Sequence, residues 1–179
     1  MFMDYQKIID KYYPVVGLEG RSDPQPPNLG GLRELLLLHS RQVADRALQI
    51  ADRHPEMTID RQFLEEAAML HDIGIFRCDA PGIYCYGTEP YIRHGQIGGE
   101  LLREEGFPRH ARVCERHTGT GLPGWEPETL EEQLICYADK FYSKSRPDHE
   151  KTVEQAVQSL RKFGEEGVVR FLAWAKRFE

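Results

Sequence analysis

Leu70-His71-Asp72-Ile73-Gly74 closes a run that begins near Asp60 and reads as a helix over Asp60 to Asp72. Leu64, Ala67 and Ala68 stand at i−7, i−4 and i−3 from His71, so the imidazole lies on the apolar stripe that must face a core. Asp72 follows at the helix's C-terminal end, where the macrodipole disfavours a negative charge. Gly74 is placed to end the helix. An inward imidazole beside a badly placed carboxylate is a costly pair, and a bound cation resolves the cost.

The same signature recurs outward from this point. His39 has Leu35, Leu36 and Val43 at i−4, i−3 and i+4. His117 has Val113 and Cys114 behind it, and Asp139 has Ile135 and Cys136 at the same offsets. His94 has Ile97, Gly98 and Leu101 at i+3, i+4 and i+7. A single inward histidine is usually a satisfied core residue. A buried carboxylate without a partner is rarer, because stripping its water costs several kcal/mol. His39, His71, Asp72, His94, His117 and Asp139 are therefore candidate metal ligands. Imidazoles and carboxylates without a thiolate suit a borderline first-row ion. The set is large for one catalytic ion and suits two, with Asp72 placed to bridge. Two ions roughly 3.5–4 Å apart can hold a hydroxide between them and clamp a phosphoryl oxygen.

The rest of the chain reads as helix and loop. A short amphipathic helix over 4–13 stops at Pro14. Residues 17–31 form a Pro/Gly-rich arm. Helices are expected over Leu32 to about Arg53, then 94–106, 108–117, 129–145, 149–163 and 166–178, with a loop at 76–93. Thr129-Leu130-Glu131-Glu132 reads as a capping box. No segment alternates with a strand's period of two for long, so the expected architecture is all-α, a compact helical bundle.

A chain of 179 residues suits one domain with a core of its own. Its net charge of −6 argues against a partner such as a nucleic acid polymer, but leaves room for a small phosphorylated substrate. Cys78, Cys85, Cys114 and Cys136 form no C-x-x-C pair and read as reduced thiols. No apolar stretch approaches the ~18 residues of a membrane span, so a cytoplasmic protein without a membrane partner is expected. A homodimer is left open.

His39, His71-Asp72 and Asp139 stand in an order that resembles the H…HD…D pattern of the HD-domain superfamily, and Leu70–Gly74 is similar to its HDIG form. His94-Gly95-Gln96-Ile97-Gly98 and Arg116-His117-Thr118-Gly119 match the extra histidines of the H…HD…H…H…D subgroup. The ending Leu134-Ile135-Cys136-Tyr137-Ala138-Asp139-Lys140 looks most like the bacterial symmetrical dinucleoside-tetraphosphate hydrolases. The resemblance implies a metal-dependent phosphohydrolase, cleaving a phosphoester or phosphoanhydride of a nucleotide or dinucleotide with a metal-activated hydroxide. It implies two divalent or mixed-valence ions, iron first, with manganese, cobalt, nickel or zinc as other occupants. It covers about residues 32–146 as the core of a single HD domain spanning 1–179. The N-terminal helix and arm (1–31) and the C-terminal accessory helices (147–179) lie outside it, and the loop 76–93 departs from it.

Asp72 and Lys140 are the expected catalytic residues. Arg41, Arg93, Lys140, Lys144 and Arg146 are candidates for phosphate oxygens, Lys140 first, beside the plainer reading of solvated surface. Asp79 is a candidate for orienting water, and Tyr84, Tyr86 and Tyr91 for stacking on a base, beside the plainer readings of turn formation and loop packing. His54, His110 and His149 lack the inward pattern and are expected at the surface. Two other functions fit the same ligands: a di-iron oxygenase, and a non-catalytic metal-bound signalling module.

Overall fold

Leu32, Leu36, Val43, Ala47 and Ile50 stripe one side of the longest helix and are all buried. This helix, α2 (Leu29–Arg53), packs against α3 (Arg61–Leu70) and α6 (Leu130–Asp139). The computed structural model describes residues 2–15, 29–119 and 124–179. The remaining helices are α1 (Tyr5–Tyr12), α4 (His94–Glu104), α5 (Pro108–Arg116), α7 (Val153–Arg161) and α8 (Glu165–Phe178). The fold is an all-α bundle, as the periodicities require. Residues 17–28 of the expected arm lie outside the described residues. Its last residues belong to α2, whose first turn accepts Gly30 and Gly31 because the amides there have no intrahelical partner to lose.

Caps fix the helix starts. Asp60 accepts the amide of Phe63 at the N-cap of α3, and Thr129 and Glu132 make the reciprocal capping box of α6. The sequence pattern carries α6 to about 145, but the helix ends at Asp139. A hairpin comes next: β3 (Tyr142–Ser143) pairs antiparallel with β4 (Arg146–Glu150). Pro147 has no amide hydrogen and disfavours helical backbone at Arg146. The five residues of β4 alternate between exposed and half-buried, a period of two too short to separate from its helical neighbours. α7 consequently starts at Val153, behind a second capping box of Thr152 and Gln155, and not at 149. The loop 76–93 is also more ordered than its composition suggests. It holds short 3-10 turns and a minimal hairpin of β1 (Asp79–Ala80) and β2 (Cys85–Tyr86).

Aromatic side chains tie the outer helices to this bundle. Tyr13, buried at the end of α1, donates its hydroxyl to the carbonyl of Ile73 at 2.8 Å and accepts the amide of Phe76 at 3.2 Å. The N-terminal helix therefore braces the turn that carries Asp72. At the other end, Tyr137, Phe141, Phe171 and Phe178 pack ring against ring. Each such burial is worth about 1.5–3 kcal/mol, and together they seal α8 onto α6. The four cysteines are free and buried.

Candidate metal centre

Five of the six candidate ligands sit at helix ends or just beyond them. His71 is the C-cap of α3 with Asp72 next to it; His94 opens α4; His117 is the C-cap of α5; Asp139 closes α6. His39 projects from the middle of α2. Convergence of the ends depends on close backbone approach. At Gly74 a Cβ would lie 2.4 Å from the carbonyl oxygen of His94, and at Gly95 one would lie 2.6 Å from that of Cys114. The sequence places Gly74 at the end of α3, but the helix ends at Leu70 with His71 as its C-cap. The φ of Gly74 is −85°, and it is glycine because α4 crosses directly over it.

Asp72 is the hub, and its two oxygens divide the histidines. Oδ2 lies 3.2 Å from Nε2 of both His39 and His71. Oδ1 lies 3.3 Å from Nε2 of His94 and 3.2 Å from Nε2 of His117. Asp139 joins the first pair through Oδ1, 2.9 Å from His39 Nε2 and 3.4 Å from His71 Nε2. Two groups result, His39, His71, Asp72 and Asp139, and Asp72, His94 and His117, each offering ligand atoms within 4.8 Å of one another.

The proton positions point to cations. Nδ1 of His71, His94 and His117 meets the carbonyls of Ala68, Tyr91 and Cys114 at 2.6, 2.5 and 2.7 Å. A carbonyl only accepts, so each Nδ1 carries a hydrogen, and Nε2 is the nitrogen left to ligate an ion through its lone pair. His94 and His117 point these lone pairs at each other across 3.0 Å. Nε2 of His71 and both carboxylate oxygens of Asp72 are buried without a hydrogen bond. Lys144 approaches Oδ2 of Asp72 to 2.7 Å, outside hydrogen-bonding geometry. Orphaned acceptors of nitrogen and oxygen type, with no thiolate among them, fit divalent first-row ions.

The charges agree. Burial pushes the Asp72 carboxyl up, but His71 and Lys144 overcome it and hold the group well below the usual carboxylate range. Burial pushes Asp139 up as well, and Lys140, with His39 and His71 close beside the carboxylate, holds it low in the same way. Burial disfavours charge on His71, yet Asp72 and Asp139 raise it to about 10: with no ion present its Nε2 takes a proton between the two carboxylates, the place a bound cation would fill. His117 is pushed down to about 4 by burial, keeping its ring neutral and able to ligate.

A cavity of about 640 Å³ opens over the cluster, with His94, His117 and Asp139 on its floor. Lys140 and Lys144 line it, as does Tyr91, whose ring stacks on His94 at 4.4 Å. Lys140 is largely engaged: its ammonium donates to the carbonyls of His117 at 3.0 Å and Cys136 at 3.3 Å, and lies 3.4 Å from Asp139 Oδ2. The lining does not include the other substrate candidates. Arg41 pairs with Asp45 and Glu65 on the outer face of α2, and Arg93 pairs with Glu89. Asp79, Tyr84 and Tyr86 lie exposed around the small hairpin. His110, expected at the surface, is buried against Phe63 and Phe107 with Nε2 3.1 Å from Glu66. Sequence reading misses the far wall, which comes from the β3–β4 hairpin and α7: Ser143, Lys151, Ser159, Lys162 and Phe163. No spacing places these near Asp72 until the hairpin turns the chain back.

Fold and site together define a helical protein with a buried histidine–aspartate centre built for divalent cations. Residues 36–143 match the family described as HD domain, and the chain belongs to it. Among curated proteins it is similar to the tRNA (cytidine(56)-2'-O)-methyltransferase of Thermoplasma volcanium, 28% identical over 83% of this chain and 43% of that one. The enzyme of the same name from Picrophilus torridus is 30% identical over 63% of this chain and 33% of its own. An uncharacterised protein of Methanocaldococcus jannaschii is 30% identical over 60% of this chain and 66% of its own. The chain thus spans less than half the length of the two methyltransferases. No solved structure matches it significantly.

Proposed function

We propose that the chain is a metal-dependent phosphohydrolase acting on a small phosphorylated substrate of the nucleotide class. The observation that carries this reading is the division of Asp72: one carboxylate faces two histidine pairs, one through each oxygen, and lies buried beneath a cavity whose lining includes His94, His117, Asp139 and lysines. Bound there, two divalent ions, iron first, supply a hydroxide nucleophile at neutral pH and neutralise phosphoryl charge. His39, His71, Asp72 and Asp139 would hold one, and Asp72, His94 and His117 the other. Lys144 meets the substrate phosphate from the cavity side. Lys140 keeps Asp139 and the turn after α5 in register, a positioning role in place of the catalytic one its sequence position suggests. Tyr91 packs the ring of His94 and excludes water beside it.

The methyl transfer named for two relatives belongs to proteins of which this chain spans 43% and 33%. Their tRNA is a long polyanion, and a net charge of −6 does not favour a broad surface for one. The cavity's size is that of a small-molecule site.

The test is phosphate release from nucleoside mono-, di- and triphosphates and dinucleoside polyphosphates, with metal-loaded protein, in air and under nitrogen. Chelator-sensitive release that is indifferent to oxygen and absent in Asp72→Ala is expected. Loaded protein that releases phosphate from none of them overturns the proposal, and oxygen consumption in its place assigns the site to oxidation.

A further inference from the structure

The cavity has two charged ends. One is the histidine–aspartate floor with Lys140 and Lys144. The other is the wall supplied by residues beyond the family match, where Lys151 and Lys162 face the same space. Lys151 is fixed by its backbone, whose amide donates to the carbonyl of Phe141 at 2.9 Å directly after β4. Lys151 is half-buried, and its ammonium has no hydrogen bond or ion pair among the described residues. Burial, and the neighbouring charges of Lys162 and Lys140, push it below the ordinary lysine value although Asp139 pulls the other way. Lys162 caps the C-terminal end of α7, which by itself suits a lysine. Its ammonium lies over the ring of Phe163 and pairs with no carboxylate among the described residues. Like charges that share a cavity, neither in contact with a carboxylate, are held at a cost that the more distant Asp139 only partly offsets, and an anion between them removes it.

We infer that Lys151 and Lys162 form a second anion subsite, which engages a phosphate of the substrate other than the one at the histidine–aspartate floor. The inference rests on the proposed reading of this cavity and narrows it. The preferred substrate carries at least two phosphates, as in a nucleoside di- or triphosphate or a dinucleoside polyphosphate, and a monophosphate reaches only the floor. The hairpin and α7 become the parts of the chain that count phosphates.

The experiment is calorimetric titration of the full, metal-loaded chain with inorganic tripolyphosphate and with orthophosphate, in excess magnesium so that the polyphosphate does not strip the site. The proteins are wild type, Lys151→Met/Lys162→Met, Lys162→Met alone and Lys151→Arg/Lys162→Arg. A charge-assisted contact is worth about tenfold in affinity. The double Met variant should therefore weaken tripolyphosphate by at least that factor and leave orthophosphate within about twofold. The Arg variant should stay close to wild type. Lys162→Met, at an exposed residue, should give a smaller loss in the same direction even where the double variant folds poorly. Tripolyphosphate binding that is unchanged in Lys162→Met and in the double variant, or no tighter than orthophosphate in wild type, overturns the inference. A protein that binds tripolyphosphate through these lysines but hydrolyses no nucleotide loses the proposed function and keeps the subsite. One that hydrolyses nucleotides while the lysine variants bind normally shows the reverse.

Discussion

The ammonium of Lys144 lies 2.7 Å from Oδ2 of Asp72, the oxygen that also faces His39 and His71. Burial opposes its charge, but Asp72, Tyr91 and Asp139 together hold Lys144 well above the ordinary lysine value, so it is a fixed cation. Lys140, four residues earlier, has its ammonium on two carbonyls and Asp139. The two lysines should fail differently. Lys144→Met keeps its metal and loses turnover by about 10²–10³, the scale of removing one group that stabilises transition-state charge. Lys140→Met loosens Asp139 and the His117 turn, and metal affinity falls by roughly 10–100-fold. Metal content after dialysis, read beside kcat, separates them. Equal metal loss in both variants contradicts the division of roles.

Gly74→Ala tests the crossing of α4 over the Asp72 turn. The backbone at Gly74 accepts alanine, since φ is −85°, so the cost is steric. The new methyl would sit 2.4 Å from the His94 carbonyl and 2.5 Å from the Gly98 amide nitrogen, both backbone atoms that no rotamer can clear. Overpacking of this kind costs about 1–3 kcal/mol. The melting temperature should fall, and His94 should move away from Asp72 while His39 and Asp139 stay. Metal binding then weakens first at the His94/His117 group. A variant with wild-type melting and full metal content shows that α4 is free to shift.

The length scale of each signal decides what is legible in the sequence. Helices with caps and a 3.6-residue stripe can be read, and so can the inward ligands, because burial of each is a local property of its own helix. Arg41 and Arg93 illustrate the limit. Both are near ligands in sequence, but each has a carboxylate four residues away and pairs with it on the outer surface. Lys151 illustrates the converse, far from any ligand in the chain yet facing the cavity because β4 folds back on β3. His110 misleads because its partner, Glu66, belongs to another helix. Pairings between elements leave no periodicity to find.

His110 gives a pH prediction. Burial holds its pKa below the ordinary imidazole value of 6.5, outweighing its bond to Glu66. The folded state therefore binds this proton less readily than the unfolded chain. The stability carried by neutral His110 is complete above pH 6.5 and is lost as pH falls through the lowered folded value. Melting temperatures of wild type and His110→Gln, followed from about pH 7.5 to about pH 5, should show the steeper acid decline in wild type. The other histidines contribute equally to both proteins and cancel in the comparison. A parallel decline would mean that His110 takes up its proton as easily folded as unfolded.

The last prediction is the number of ions. Asp72 cannot serve one ion through both oxygens and still reach the two histidine pairs, because Oδ2 faces His39 and His71 whereas Oδ1 faces His94 and His117. Each side is nearly a complete site: three further side chains with Oδ2, two histidines with Oδ1. The second set is poorer in ligands and lies on the cavity floor, so it should bind more weakly and exchange more readily. Protein purified without chelators should approach two equivalents of first-row metal per chain. His94→Ala/His117→Ala should retain one, held by His39, His71, Asp72 and Asp139. Asp72→Ala should retain close to none, because its removal opens both sites together. Binding only the folded chain, the ions also raise its stability by linkage, so melting temperature should step down in the same order. Wild-type protein fixed at one equivalent, with the His94/His117 variant unchanged in metal and melting, would leave a single-ion centre and remove the bridging role from Asp72.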